Sequence, residues 1–201
     1  MSTLAIIAIV AAVVIVVSIA LLIRRGRNKL KQQAAASKAA EAHAESDPLV
    51  PQYVSNPEKI QLGNALDYVD TSYIVRGMAR ITEDGYSWVE YYLASSGGHA
   101  WLCVEREDDL RVTLWKEQPE HDLVPAKDVV FNGVHYKQLE HGKASFNSAG
   151  TTNLMANSGQ VEYVDYKSAT GQLLSLERYD GQSWELSTGE EVNLNMLQVY
   201  P

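Results

Sequence analysis

Four carboxylates recur at one spacing in this 201-residue chain: Glu90 and Glu162 stand 72 residues apart, and so do Glu105 and Glu177. Carboxylates brought together from two copies of one motif could serve as an acid–base pair or hold a cation. The plainer alternative is that Glu105 with Arg106, and Glu177 with Arg178, form cross-strand ion pairs on solvated edges. Cys103 shares the neighbourhood. In Trp101-Leu102-Cys103-Val104-Glu105, strand alternation sets Trp101, Cys103 and Glu105 on one face. A reactive thiol needs an adjacent base or cation. None stands beside Cys103 in sequence, and its counterpart 72 residues on is Ser175, so an inert, half-buried thiol is expected.

Other chemistry is poorly supplied. The histidines are His43, His99, His121, His135 and His141, with no H-E-x-x-H pair and no cysteine set for zinc. His135 and His141 flank one expected strand and its turn. No G-x-S-x-G elbow and no phosphate-binding glycine loop ahead of a helix occurs, and Gly97-Gly98 reads as a hairpin turn. No catalytic residue, cofactor or metal site is assigned. Aromatic side chains at Trp88, Tyr91, Tyr92, Trp101, Trp115 and Trp184 are candidate partner or ligand contacts.

The elements that must position these residues are strands. From Lys59 to Pro201, β-branched and aromatic residues recur in short alternating runs. Turn signals at Asp84-Gly85, Gly97-Gly98, Asp108-Asp109, Asn132-Gly133, Gly171 and Asp180-Gly181 separate them. The pattern predicts an antiparallel all-β domain with strands over 72–81, 87–94, 100–106, 110–116, 134–140, 143–147, 160–167, 172–178 and 183–187. At the 72-residue offset, Val89, Glu90, Tyr91, Leu102, Glu105, Arg106 and Asp108 fall on identical residues at Val161, Glu162, Tyr163, Leu174, Glu177, Arg178 and Asp180. Tyr73, Gly77 and Ala79 find looser counterparts in Tyr136, Gly142 and Ala144. Two copies of one β-meander, at about 62–117 and 128–192, packed as a sandwich or a barrel, are expected. Ligand sites favour the interface between such halves.

These residues carry a resemblance. Leu62-Gly63, Tyr73-x-Val75-x-Gly77, Trp88-x-Glu90-Tyr91-x-Leu93 and Trp101-Leu102-x-Val104-Glu105, in that order, resemble the bacterial domain of unknown function 4178 family. The later stretch, Tyr136 with Gly142-x-Ala144, then Val161-x-Tyr163-x-Asp165-Tyr166 and Leu174-Ser175-Leu176-Glu177, fits its second half. The resemblance covers Gln61 to Val192. It implies no established activity and no catalytic residues, and it implies an association with genes for polyamine-synthase-like enzymes and small membrane proteins.

The N-terminal third reads differently. Leu4 to Ile23 carries no charge, and as a helix it would be roughly 30 Å long, enough to cross a bilayer. Residues 1–3 precede it without charge. Arg24, Arg25, Arg27, Lys29 and Lys31 follow it, which predicts the N-terminus outside, all later residues in the cytoplasm, and a basic collar on the inner membrane surface. A cleaved signal peptide would carry its charge before a shorter apolar run. The expected organisation is thus a single transmembrane helix over 4–23, a basic collar and helical stalk over 24–45, a linker over 46–58 and the β-domain over 59–201. A lone cysteine suits the cytoplasm.

From Glu58 onward acids number 22 and Lys plus Arg 11, so the domain is near −11. Such a surface disfavours nucleic acid and attracts cations or basic proteins. The reading is a bacterial inner-membrane protein whose β-domain acts as a non-enzymatic binding or scaffold module for a membrane or cytoplasmic protein partner or a small cationic, polyamine-like molecule. The alternative is an enzyme using Glu and His in a cleft between the repeats. Convergent Glu or His side chains in a concave site would favour the enzyme; a filled core with a flat aromatic patch would favour binding.

Overall fold

Turn chemistry fixes the strand ends. Asp84-Gly85 and Asn132-Gly133 both carry positive φ at each residue, the backbone that two-residue hairpins of right-handed twist require. They close ladders between Glu83 and Tyr86, and between Phe131 and Val134. In a computed structural model, the structure describes residues 56–201. Its strands are β1 (Ala65–Tyr68), β2 (Thr71–Glu83), β3 (Tyr86–Ser95), β4 (Gly98–Arg106), β5 (Leu110–Glu117), β6 (Asp128–Phe131), β7 (Val134–Gly150), β8 (Ser158–Ser168), β9 (Leu173–Tyr179), β10 (Glu185–Glu191) and β11 (Leu197–Tyr200).

All neighbours pair antiparallel, and β1–β5 and β6–β10 follow the same pairing order. Two seams, β5 with β10 and β2 with β7, close eight strands into a barrel. Of the two expected architectures, sandwich and barrel, closure decides for the barrel. The long strands β2 and β7 make it feasible. Each pairs first with a short strand, β1 or β6, then bulges at Arg76 or Leu139, and continues along the other long strand. A bulge bends and twists the strand where it changes partner. Gly77 and Gly150 face each other at this crossing, where a Cβ on Gly77 would lie 2.4 Å from the Thr151 carbonyl oxygen, so only glycine fits.

Alternation gives β3–β5 two different faces. One buries Leu93, Leu102, Val104, Val112 and Leu114 in a cluster with Ile60, Leu66 and Val199. A matching face of β8–β10 buries Val164, Tyr166, Leu174, Leu176 and Leu186 with Val129 and Tyr136. Each such aliphatic side chain contributes roughly 1.5–3 kcal/mol when fully buried. A third cluster, Ala79, Ile81, Trp101, Ala144, Phe146 and Val161, draws on both halves and leaves part of the interior open.

Several expectations need correction. The strands expected over 134–140 and 143–147 are one, β7, because Gly142 stays in the ladder opposite Tyr163. His135 and His141 therefore lie on a single strand. β1, β6 and β11 escape the sequence reading, being four residues each. Asn56 to Glu58, expected in the linker, belong to the domain: Pro57 is buried, and Glu58 meets Arg106 at 2.8 Å. Among the described residues no helix is long and apolar enough to cross a membrane. The expected span over 4–23, the collar and stalk over 24–45, and residues 46–55 of the linker lie outside the described residues.

Candidate functional site

A cavity of about 410 Å³ opens inside the barrel, and its wall comes from both halves. Strand alternation explains the lining. Inward positions on β3 give Trp88 and Glu90, on β4 Cys103 and Glu105, on β5 Thr113 and Trp115. From the other half come Glu140 on β7, Tyr163 and Asp165 on β8, and Ser175 and Glu177 on β9.

Register identifies the true counterparts. Glu90 lies opposite Cys103, and Asp165 lies opposite Ser175. Cys103 and Ser175 are 72 residues apart, as are Glu105 and Glu177, so the offset holds for β4 and β9. It fails for β3 and β8. Glu90 to Cys103 is 13 residues, whereas Asp165 to Ser175 is 10. A three-residue difference is odd, and an odd shift turns a strand's other face inward. The expected equivalence of Glu90 with Glu162 is therefore wrong. Glu90 corresponds to Asp165, while Glu162 points away from the cavity and pairs with Arg178 at 2.7 Å and Lys143 at 3.2 Å.

The remaining expected residues divide in the same way. Glu105 and Glu177 line the cavity, and neither forms the ion pair with its chain neighbour that the plainer alternative supposes: Arg106 binds Glu58 and Arg178 binds Glu162. Trp88 and Trp115 are on the wall. Tyr91 is buried in the first-half cluster and Trp101 in the shared cluster, where Tyr92 packs on it edge-on at 5.0 Å. Trp184 lies under the Arg178 guanidinium, 4.7 Å from its ring centroid. The sequence reading missed Asp165 and Glu140. The β3–β4 and β8–β9 hairpin lengths, which differ by three residues, were the available signal.

Burial governs the electrostatics. Glu90 is pushed up to about 7, first by removal from water and then by the charges of Asp165 and Glu105, against the indole of Trp88, which donates to Glu90 Oε1 at 3.1 Å. Asp165 is pushed up to about 7 by burial, with Glu140 and Glu105 adding and the facing Ser175 hydroxyl opposing. Burial, with the charges of Glu90 and Asp165, raises Glu177 well above the usual carboxylate range; the Tyr179 hydroxyl, donating to Glu177 Oε2 at 3.0 Å, opposes it. Cys103 is raised well above an ordinary thiol, chiefly by burial and then by Glu90, which keeps it protonated and poorly nucleophilic.

Basic partners are scarce here. The Arg111 head, 65% exposed, stands 3.8 Å from Glu105, and Lys167 pairs with Glu191. Among the described ion pairs none involves Glu90, Asp165 or Glu177. Ser175, 3% exposed, lines the cavity; its hydroxyl is near enough to Asp165 to oppose that carboxyl's rise but forms no hydrogen bond of good geometry. A second hollow of about 490 Å³ adjoins through Glu105 and Arg111, with Glu107, Asp108, Asp109 and Glu191 on its wall. Among the described residues no group of three or more His, Cys, Asp or Glu is placed to hold a metal ion. Arg24, Arg25, Arg27, Lys29 and Lys31 lie outside the described residues.

The family model described as "Domain of unknown function (DUF4178)" matches residues 61–194. The chain is similar to uncharacterized proteins of Mycobacterium bovis and of two strains of Mycobacterium tuberculosis, 32% identical over 166 residues in each case, covering 77% of this chain and 79% of theirs. No solved structure matches it.

Proposed function

We propose, for a chain that belongs to the DUF4178 family, that the barrel is a non-enzymatic binding module and that its interior takes a small organic cation. One observation carries the reading: carboxylates in no ion pair, Glu90 buried and Asp165 and Glu177 half-buried, share a cavity with aromatic rings and a buried hydroxyl. Removing charge from water without a partner is costly, so the ionised form of these groups is disfavoured and a cation would supply the missing charge. An ammonium head would be held by carboxylates and its methylenes by the faces of Trp88 and Trp115. The acidic wall of the adjoining hollow would draw cations towards the opening. The domain arose, on this reading, by duplication of a five-strand unit, and the site lies between the copies.

The apolar run over 4–23 and the basic residues after it support a cytoplasmic domain tethered to the inner membrane. A tether would raise its local concentration around membrane partners. External protease applied to spheroplasts should leave the β-domain intact; digestion would place it outside.

The second reading, an enzyme, draws on the same cavity, because convergent carboxylates in a concave site are what acid–base chemistry needs. Glu90 and Asp165, both near neutral, could exchange protons with a bound molecule. No histidine lines this cavity among the described residues. The deciding experiment titrates the full chain, in mild detergent, with spermidine at constant ionic strength. Binding should raise the melting temperature beyond matched salt and leave the amine chemically unchanged. A shift equal to that of salt overturns the binding reading, and conversion of the amine favours the enzyme.

A further inference from the structure

Four of the carboxylates that line the cavity occupy equivalent places in the two halves. On β3 and β4, Glu90 faces Cys103, and Glu105 is the next inward residue beyond it. On β8 and β9, Asp165 faces Ser175, and Glu177 is the next inward residue beyond it. The ladder therefore builds one diagonal carboxylate pair twice, at the diagonal spacing that long side chains can bridge. The aromatic residues that follow the same rule are Trp88 and Tyr163, and they touch across the interior, edge to face, with ring centroids 6.0 Å apart. Resting on the organic-cation reading above, we infer that the ligand is two-headed: a linear diammonium ion with one head at Glu90 and Glu105, the other at Asp165 and Glu177, and its methylene chain along the Trp88–Tyr163 contact.

Two further features point the same way. Ser175 places a buried hydroxyl, in no hydrogen bond of good geometry, beside one carboxylate pair, where an ammonium hydrogen could reach it. The two halves enclose one continuous cavity, so a single molecule can reach both pairs. A one-headed amine would neutralise one pair and leave the other uncompensated. A metal ion is a poor occupant, because no group of three ligands converges on one point among the described residues.

Calorimetric titration of the full chain in mild detergent tests this with butylamine and a series of α,ω-diamines from three to eight carbons. A diamine of the best length should bind at least about tenfold more tightly than butylamine, since its second head adds an ion pair without a second loss of freedom. It should bind one per chain, butylamine two, and affinity should peak at one length. Glu90→Gln and Asp165→Asn should each bring the best diamine down to butylamine's affinity, while Glu162→Gln, on the outer face, should change nothing. Diamines and butylamine binding alike would overturn the two-headed ligand and leave the cation reading standing. A length series without a peak in wild-type chain would overturn it equally, whether or not the variants fold. No amine binding above matched sodium chloride would overturn both.

Discussion

The first five strands and the second five repeat one plan on both faces and differ in how much each outer core gathers. Facing the shared cavity, four positions match in chemistry: Glu90 with Asp165, Cys103 with Ser175, Glu105 with Glu177, Trp88 with Tyr163. On their far faces Tyr91 with Tyr166, Leu102 with Leu174, Val104 with Leu176 and Val112 with Leu186 also hold matching places, but the two cores differ in extent. The first buries thirteen hydrophobic residues, including Ile60, Val192 and Val199 from outside its own strands, and the second buries seven. A core needs only volume and apolar character, so many residue sets fill it. Buried carboxylates are costly at every position where they stand. That both halves keep costly groups in the interior, where apolar residues would fill the space at less cost, assigns the interior, and not the two cores, to whatever the barrel does.

The largest expected effect tests whether the halves are one folding unit. Leu102 and Leu174 hold the same place in the two cores, and each is 1% exposed or less. Replacing either with Ala should cost roughly 2–5 kcal/mol in chemical denaturation, with Leu102→Ala the more severe because more of the first core packs around it. Both should shift a single transition, because two seams join the halves. Separate transitions would break the comparison into two independent domains.

Next in size is the pH response. Glu90 and Asp165 have folded values near 7, above those of the unfolded chain, so the folded state binds more protons between them. Stability is then full below about pH 4.5 for these groups and falls as pH rises towards 7, by about 1.4 kcal/mol per unit of displacement. Glu117, held low by His99, Asn153 and Trp101 against the effect of its own burial, acts in the opposite sense and weakens the fold only as pH drops through the carboxylate range. Thermal melting between pH 5 and 8 should therefore show a declining midpoint, and Glu90→Gln and Asp165→Asn should each flatten the decline. A slope left untouched by one of them would show that the halves are not electrically alike.

Smaller again is the seam. Trp115 pairs with Gly189, and a Cβ there would lie 2.5 Å from the indole carbons. Gly189→Ala should destabilise by about 1–3 kcal/mol through overpacking, and near-ultraviolet dichroism should report the displaced tryptophan.

Much of the barrel was legible because its signals are local. Asp84-Gly85, Asn132-Gly133 and Asp180-Gly181 each mark a turn that the structure contains, with positive φ at every one of the six residues. The alternation through Tyr73, Val75, Ala79 and Ile81 likewise marks a buried strand face. Closure was not legible, because both seams join strands distant in sequence. The site was half legible. Glu105 and Glu177 follow from identity at a fixed spacing, but the same identities at Glu90 and Glu162 mislead, since Asp165 and its facing Ser175 are three residues closer in sequence than Glu90 and Cys103, which turns the strand's other face inward while the letters stay aligned. Side-chain type is read from sequence directly; the face it occupies depends on the count of residues to the next ladder.

The smallest effect concerns one backbone position. The β1–β2 turn holds Val69 at φ 53°, where the equivalent β6–β7 turn holds Asn132 at φ 49°. Asparagine tolerates this left-handed backbone, whereas a β-branched residue crowds the neighbouring carbonyl. Val69 is 58% exposed, so little packing repays the strain. Val69→Asn gives the first turn the chemistry of the second and should stabilise the domain by roughly 0.5–1 kcal/mol, read as a higher denaturation midpoint with an unchanged slope. A loss of stability instead would mean that Val69 makes a contact worth more than its strain, and that the two turns have diverged for reasons of packing.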